Sequence, residues 1–137
     1  MYLDKPSVIS LFNYRLERAQ AFLNNAIVDY DNKEYLGAAN RSYYAIFHAL
    51  RAVLALEEKD LKKHSGLIAY FNQQYIKTEL FPNDLYKIIY SAFNIRQASD
   101  YEDFYIISKE EVKEQIDNAK YIIQLVKEYR KKHLDEK

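Results

Sequence analysis

The residues with the clearest chemical potential are an arginine and a histidine seven positions apart, Arg41 and His48. On a helix, seven residues make two turns, so both side chains leave the same face with about 10 Å between their backbones. An imidazole that titrates near neutrality beside a permanent cation suits phosphodiester chemistry. The histidine moves a proton, while the guanidinium clamps the phosphate and stabilises developing charge. Such chemistry needs no metal and no other cofactor. The structural alternative gives Arg41 a carboxylate across a helix contact and gives His48 a hydrogen bond to a tyrosine or to backbone.

A second group lies further along the chain, where Arg96 is followed by Asp100 and Tyr101. Asp100 can hold Arg96 with Tyr101 packed over the pair. If Arg96 faces a cleft instead, Arg96 and Tyr101 can bind a phosphate and stack a base. His64, beside Lys62 and Lys63, offers a third basic contact or else anchors a loop. Other catalytic machinery is absent from the sequence. None of the three histidines follows a glutamate by three residues, as a di-iron carboxylate bundle requires, and there is no Walker motif, HExxH or nucleophile elbow. Without cysteine, a thiol nucleophile, a zinc finger and a disulfide scaffold are excluded, and a reducing cytoplasm is the expected compartment.

The elements that must position these residues are helices. Only two Gly and two Pro occur in 137 residues, which favours long helices with short connections. From Ser7 to Tyr30, Phe12, Leu16, Ala19, Leu23, Ala26 and Tyr30 recur at steps of four and three. A second stripe, Leu36, Ala39, Tyr43, Phe47, Leu50 and Leu54, predicts a helix from about Lys33 to Leu56, which must fold back on the first as a hairpin. Glu57 to His64 reads as a charged loop, Ser65 to Ile76 as a short amphipathic helix, and Pro82-Asn83-Asp84 as the start of a fourth. Asp100 to Ile107 reads as a crossover loop. Ser108 with Glu111 forms a capping box ahead of a final stripe through Val112, Ile116, Ala119, Ile123, Val126 and Tyr129. The expected architecture is all-α, an antiparallel four-helix up-and-down bundle with a short additional helix, in one domain spanning residues 1–137.

The second helix has an unusual far side. Ala38, Arg41, Ala45, His48 and Ala52 gather opposite the core stripe, where an outer helix ordinarily carries charges. Small side chains allow close approach, so this seam is expected to meet another helix, from the same chain or from a second subunit. Tyr44 lies beside it. Acidic and basic residues balance at 20 each, which disfavours a general polyanion binder without excluding a local basic patch. The Met1 start leads into polar residues and no apolar run is long enough to span a bilayer, so a soluble protein without membrane contacts is expected.

The segments Asn40-Arg41-Ser42-Tyr43-Tyr44-Ala45-Ile46-Phe47-His48-Ala49, Lys63-His64-Ser65-Gly66 and Arg96-Gln97-Ala98-Ser99-Asp100-Tyr101, in that order and spacing, resemble a small stand-alone HEPN domain (higher eukaryotes and prokaryotes nucleotide-binding). The likeness covers nearly the whole chain. It implies a helical bundle that usually forms a homodimer. It also implies frequent pairing with a minimal nucleotidyltransferase in toxin–antitoxin systems and, in many members, metal-independent cleavage of RNA. Active members carry an Arg, four to six residues, and a His. Arg41 and His48 satisfy that spacing, whereas after Arg96 the corresponding position holds Tyr101, a weak base at neutral pH. Two functions are therefore expected in competition. One is an RNA- or nucleotide-interacting ribonuclease using His48, Arg41 and Arg96; the other is a non-catalytic module for dimerisation and partner binding.

Overall fold

A computed structural model describes residues 5–135; the Met1 start lies outside them. The elements are α1 (Lys5–Asp31), α2 (Tyr35–Ala55), α3 (His64–Phe71), a single π-helical stretch (Asn72–Ile76), α4 (Asp84–Tyr101) and α5 (Lys109–Asp135). Four long helices and one short one form the expected all-α bundle, and no strand occurs among the described residues. No helix among them is long and apolar enough to cross a membrane.

Helix α2 is the axle of the bundle and packs against α1, α3, α4 and α5. Its link to α1 is three residues, 32–34. Lys33 takes a positive φ of 62° and the Glu34 amide donates to the Asp29 carbonyl at 2.8 Å, which reverses the chain. Phe12, Ala19, Leu23 and Ala26 of the α1 stripe and Val112, Ile116, Ala119, Ile123 and Val126 of the α5 stripe are buried as their spacing predicts, Leu16, Tyr30 and Tyr129 are half-buried, and Ile122 joins the core beside the α5 stripe. At the start of α5 the capping box forms in both directions. The Glu111 amide donates to Ser108 Oγ at 3.1 Å, and Glu111 Oε1 accepts the Ser108 amide at 3.4 Å.

The far side of α2 resolves the open choice left by the sequence. Ala38, Ala45 and Ala52 are completely buried, and it is α1 of the same chain that covers this face, since Phe22 stacks on Tyr44 and His48, and Asp29 meets Arg41. The alanine seam is thus an internal helix contact and gives no ground for a second subunit. Gly37 belongs to the same close approach: a Cβ there would lie 2.9 Å from Asp29 Oδ2.

Two boundaries differ from the sequence reading. The short third helix loosens into the π-helical stretch at Asn72. Residues Asp100 and Tyr101, read as the start of a crossover loop, are instead the last turn of α4. The reason is local: Asp100 pairs with Arg96 one turn back at 3.1 Å, and Ser99 Oγ donates to the Arg96 carbonyl at 2.8 Å. Beyond them the segment to Ile107 is irregular and exposes Phe104 and Ile106 almost fully.

Candidate functional site

Two polar groupings lie along α2, joined through aromatic rings: Phe22 touches Tyr44 and His48, and Phe47 touches His48 and His64. The first lies where α2, α3 and α4 meet. Tyr43 sits in the core stripe of α2 with its ring 1% exposed, so its hydroxyl needs a partner inside the protein. His64, the first residue of α3, supplies it, with Nδ1 2.5 Å from the Tyr43 hydroxyl. The imidazole is also stacked on Phe47, ring centres 4.1 Å apart. Arg96 reaches in from α4 and places its guanidinium carbon 5.6 Å from the ring centres of both Tyr43 and Tyr44. Its Nε is buried and lies 3.1 Å from Asp100 Oδ2, an ion pair without hydrogen-bond alignment.

The electrostatics of this group follow from that packing. Burial pushes the Tyr43 phenol above its ordinary value against the opposing pull of Arg96, so Tyr43 stays a neutral hydroxyl. Burial, helped by Arg96, also holds His64 below the ordinary histidine value and keeps it neutral at pH 7. When Nδ1 carries the proton and donates to the Tyr43 oxygen, Nε2 is left with its lone pair. The Arg96 guanidinium lies beside that neutral ring. The arrangement pairs a fixed cation with a proton acceptor on two aromatic faces.

The second grouping lies between α1 and α2. His48 stacks flat on Phe22, 5.2 Å between centres and 3° between planes, and its Nδ1 is buried without a hydrogen-bond partner. The pocket beside it, about 260 Å³, is lined by Leu11, Tyr14, Arg15, Arg18, His48 and Arg51. Arg15 is buried; its Nη1 donates to the Arg51 carbonyl at 3.0 Å and its Nη2 lies 3.7 Å from Asp60. Arg51 forks onto the same Asp60 carboxylate, at 3.1 and 3.2 Å. Burial first, then Arg18, Arg51, Arg15 and His64, push the His48 imidazole down to about 4.

That depression has a measurable consequence. The unfolded chain protonates His48 near 6.5 and the folded chain only near 4, so protonation favours unfolding. Its stabilising contribution is complete above pH 6.5 and is lost as pH falls toward 4. With allowance for a partly solvated ring, it amounts to about 1–2 kcal/mol. Urea midpoints measured from pH 7 to pH 4 should therefore fall more steeply for the wild type than for His48→Phe, which keeps the stack on Phe22. Parallel profiles would refute the burial of a neutral imidazole here.

The sequence-derived residues thus separate into places. Arg96, Asp100, His64 and Tyr44 come together. Tyr101 does not join them: five residues carry it about 140° around the helix from Arg96, and it is 79% exposed. Arg41 and His48 share a helix face but turn to different partners. Arg41 Nε lies 3.6 Å from Asp29 Oδ2 and is half exposed, whereas His48 lies among Phe22 and the arginines. Sequence reasoning missed Tyr43, which its spacing assigns to the core. It also missed Arg15, Arg18 and Arg51, although an arginine at position 15, between Phe12 and Ala19 on a buried stripe, is a signal of a satisfied internal cation.

Comparison with known proteins agrees with this architecture. Residues 12–129 match the HEPN domain family. Among curated relatives, "Putative toxin MJ0142" of Methanocaldococcus jannaschii is 32% identical over 114 residues, covering 83% of this chain and 78% of its own length. A "UPF0332 protein" of Thermotoga maritima is 32% identical over 109 residues, covering 80% of this chain and 83% of its own. A second Methanocaldococcus jannaschii protein, "Putative toxin MJ0605", is 36% identical over 87 residues, covering 63% and 64% respectively. Since the match spans residues 12–129 of the 137, the chain belongs to the HEPN family.

Proposed function

We propose that this HEPN chain is the RNA-engaging, toxin-type half of a toxin–antitoxin pair, acting as a homodimer beside a minimal nucleotidyltransferase, and that it cleaves RNA without a metal at the Arg96–His64 pair. The observation that carries this reading is the convergence of His64 and Arg96 on the same two rings, Tyr43 and Tyr44. His64, from the start of α3, brings to Arg96 the imidazole that position 101 does not supply. The names carried by two of the relatives point the same way.

The chemistry is attack by a ribose 2′-hydroxyl on the adjacent phosphorus. Neutral His64 takes the hydroxyl proton at Nε2, the new bond from O2′ to phosphorus forms, and the bond to the 5′-oxygen breaks. The departing oxygen is protonated by the imidazolium or by water, leaving a 2′,3′-cyclic phosphate and a 5′-hydroxyl end. Arg96 balances the charge that builds on the phosphate oxygens. Tyr44, half-buried, offers its ring to a base.

A binding module is the second reading. It is favoured by the Asp100 carboxylate beside Arg96 and by the Tyr43 hydroxyl on His64, which already occupy both groups. RNA cleavage in excess chelator separates the two. A nuclease should lose about 10²–10⁴-fold with His64→Ala. His48→Ala, run alongside, reports whether the α1–α2 side contributes. If folded wild type leaves RNA intact, the nuclease reading fails and the binding module stands.

A further inference from the structure

We infer that the α1–α2 pocket lined by Arg15, Arg18 and Arg51 is a second site, one that takes the phosphate group of a nucleotide or of an RNA strand. It is distinct from the Arg96 cluster, which meets α2 at Tyr43 and Tyr44, and it does not require that RNA be cut.

The charge arrangement carries the inference. Three guanidinium groups line or edge the pocket, and the carboxylate that meets them is Asp60, which is shared between Arg15 and Arg51. Among the described residues Arg18 has no ion-pair partner; its guanidinium carbon rests 5.5 Å from the centre of the Phe22 ring, and the side chain is exposed. The three arginines thus carry two more positive charges than Asp60 balances; Arg15 is buried, where an incompletely paired cation is costly, and Arg18 is exposed at the rim. Arg15 registers that cost, since burial and then Arg51 hold it below the ordinary arginine value despite Asp60. A phosphate would neutralise the excess and accept several N–H donors at once, which suits planar guanidinium forks better than lysines.

Two further features fit this ligand. His48 Nδ1 is a buried polar atom with no partner, so a phosphate oxygen or its hydroxyl would satisfy it in one tautomer or the other. Tyr14, exposed at the rim, adds an aromatic face for whatever the phosphate carries. Titratable and charged groups around His48 are Arg15 and Arg18 from α1, Arg51 from α2 and His64 from α3. All of these favour its neutral form until an anion arrives.

The experiment is a titration of the full chain, at pH 6.5, with inorganic phosphate, then ADP, then a short RNA whose 2′-hydroxyls are methylated so that it cannot be cut. It is followed by calorimetry and by the imidazole nitrogen resonances of His48. Binding should perturb His48 and raise its pKa. Arg18→Gln should weaken binding about ten-fold or more. This exposed side chain can change without disturbing the fold, and Arg18→Lys should recover only part of the affinity. Arg96→Ala should leave phosphate binding at His48 intact, which separates this site from the proposed cleavage site. A nucleotide pocket favours ADP, whereas a strand-tracking site favours the RNA. No response of His48 to any of the three, or equal affinity in wild type and Arg18→Gln, would overturn the inference.

Discussion

Arg96→Ala is expected to remove RNA cleavage almost entirely, by about 10²–10³-fold in kcat/KM, while the chain remains folded. The expectation rests on the position of the guanidinium, which is the permanent cation beside His64 and the only arginine stacked on both Tyr43 and Tyr44 among the described contacts. Charge that develops on a phosphate in a half-buried site is stabilised more strongly than it would be in water, so losing the donor should act mainly on kcat. Arg96→Lys tests geometry against charge. A lysine retains the cation but not the planar fork, and it should recover only part of the rate. Asp100→Asn provides the opposite test. It frees Arg96 from its ion pair, so binding of a chelator-treated RNA should tighten if Asp100 competes with phosphate. Activity unchanged in Arg96→Ala would remove this arginine from the mechanism.

Phe12→Ala should cost about 3–5 kcal/mol of folding stability, which is a large part of what a domain of this size has. Phe12 is fully buried on α1, and the Arg130 guanidinium of α5 lies 5.6 Å from its ring centre, so the ring joins the hairpin to the last helix. Truncation leaves a cavity that neighbouring helices can fill only by shifting. Chemical denaturation would show it as a fall of about 2 M in the urea midpoint at a typical slope. Phe104→Ala is the control. That phenylalanine is 97% exposed and its loss should stay within about 0.5 kcal/mol. Comparable losses at the two positions would contradict the buried core.

The sequence carried the fold because helical periodicity is local. The stripes of α1, α2 and α5 and the Ser108–Glu111 box each involve residues spaced by single helical turns, and they form except at Leu36, which begins α2 42% exposed. The same holds for Arg96 and Asp100, one turn apart. What stayed hidden was every partner contributed by a different helix. Spacing shows that Arg41 and His48 share a face, but it cannot show that α1 brings Asp29 to one and Phe22 to the other. The alanine seam announces a close helix neighbour without saying which. Tyr43 and His64 are 21 residues apart with a loop between them, so no periodicity links them. A loop from Asp100 onward leaves Tyr101 free to turn toward Arg96; helical continuation through Asp100 turns it away.

The three-residue turn between α1 and α2 also sets the order in which the protein becomes itself during synthesis. Closing so short a loop costs little chain entropy, and contacts between adjacent helices form quickly. The paired helices, with the alanine seam, Phe22 and His48, precede α4 in the order of synthesis. Arg96 arrives later, from a segment far along the chain. A chain interrupted before α4 therefore carries Tyr43, Tyr44 and His64 but not Arg96, so the chemistry proposed for that group waits on the synthesis of α4.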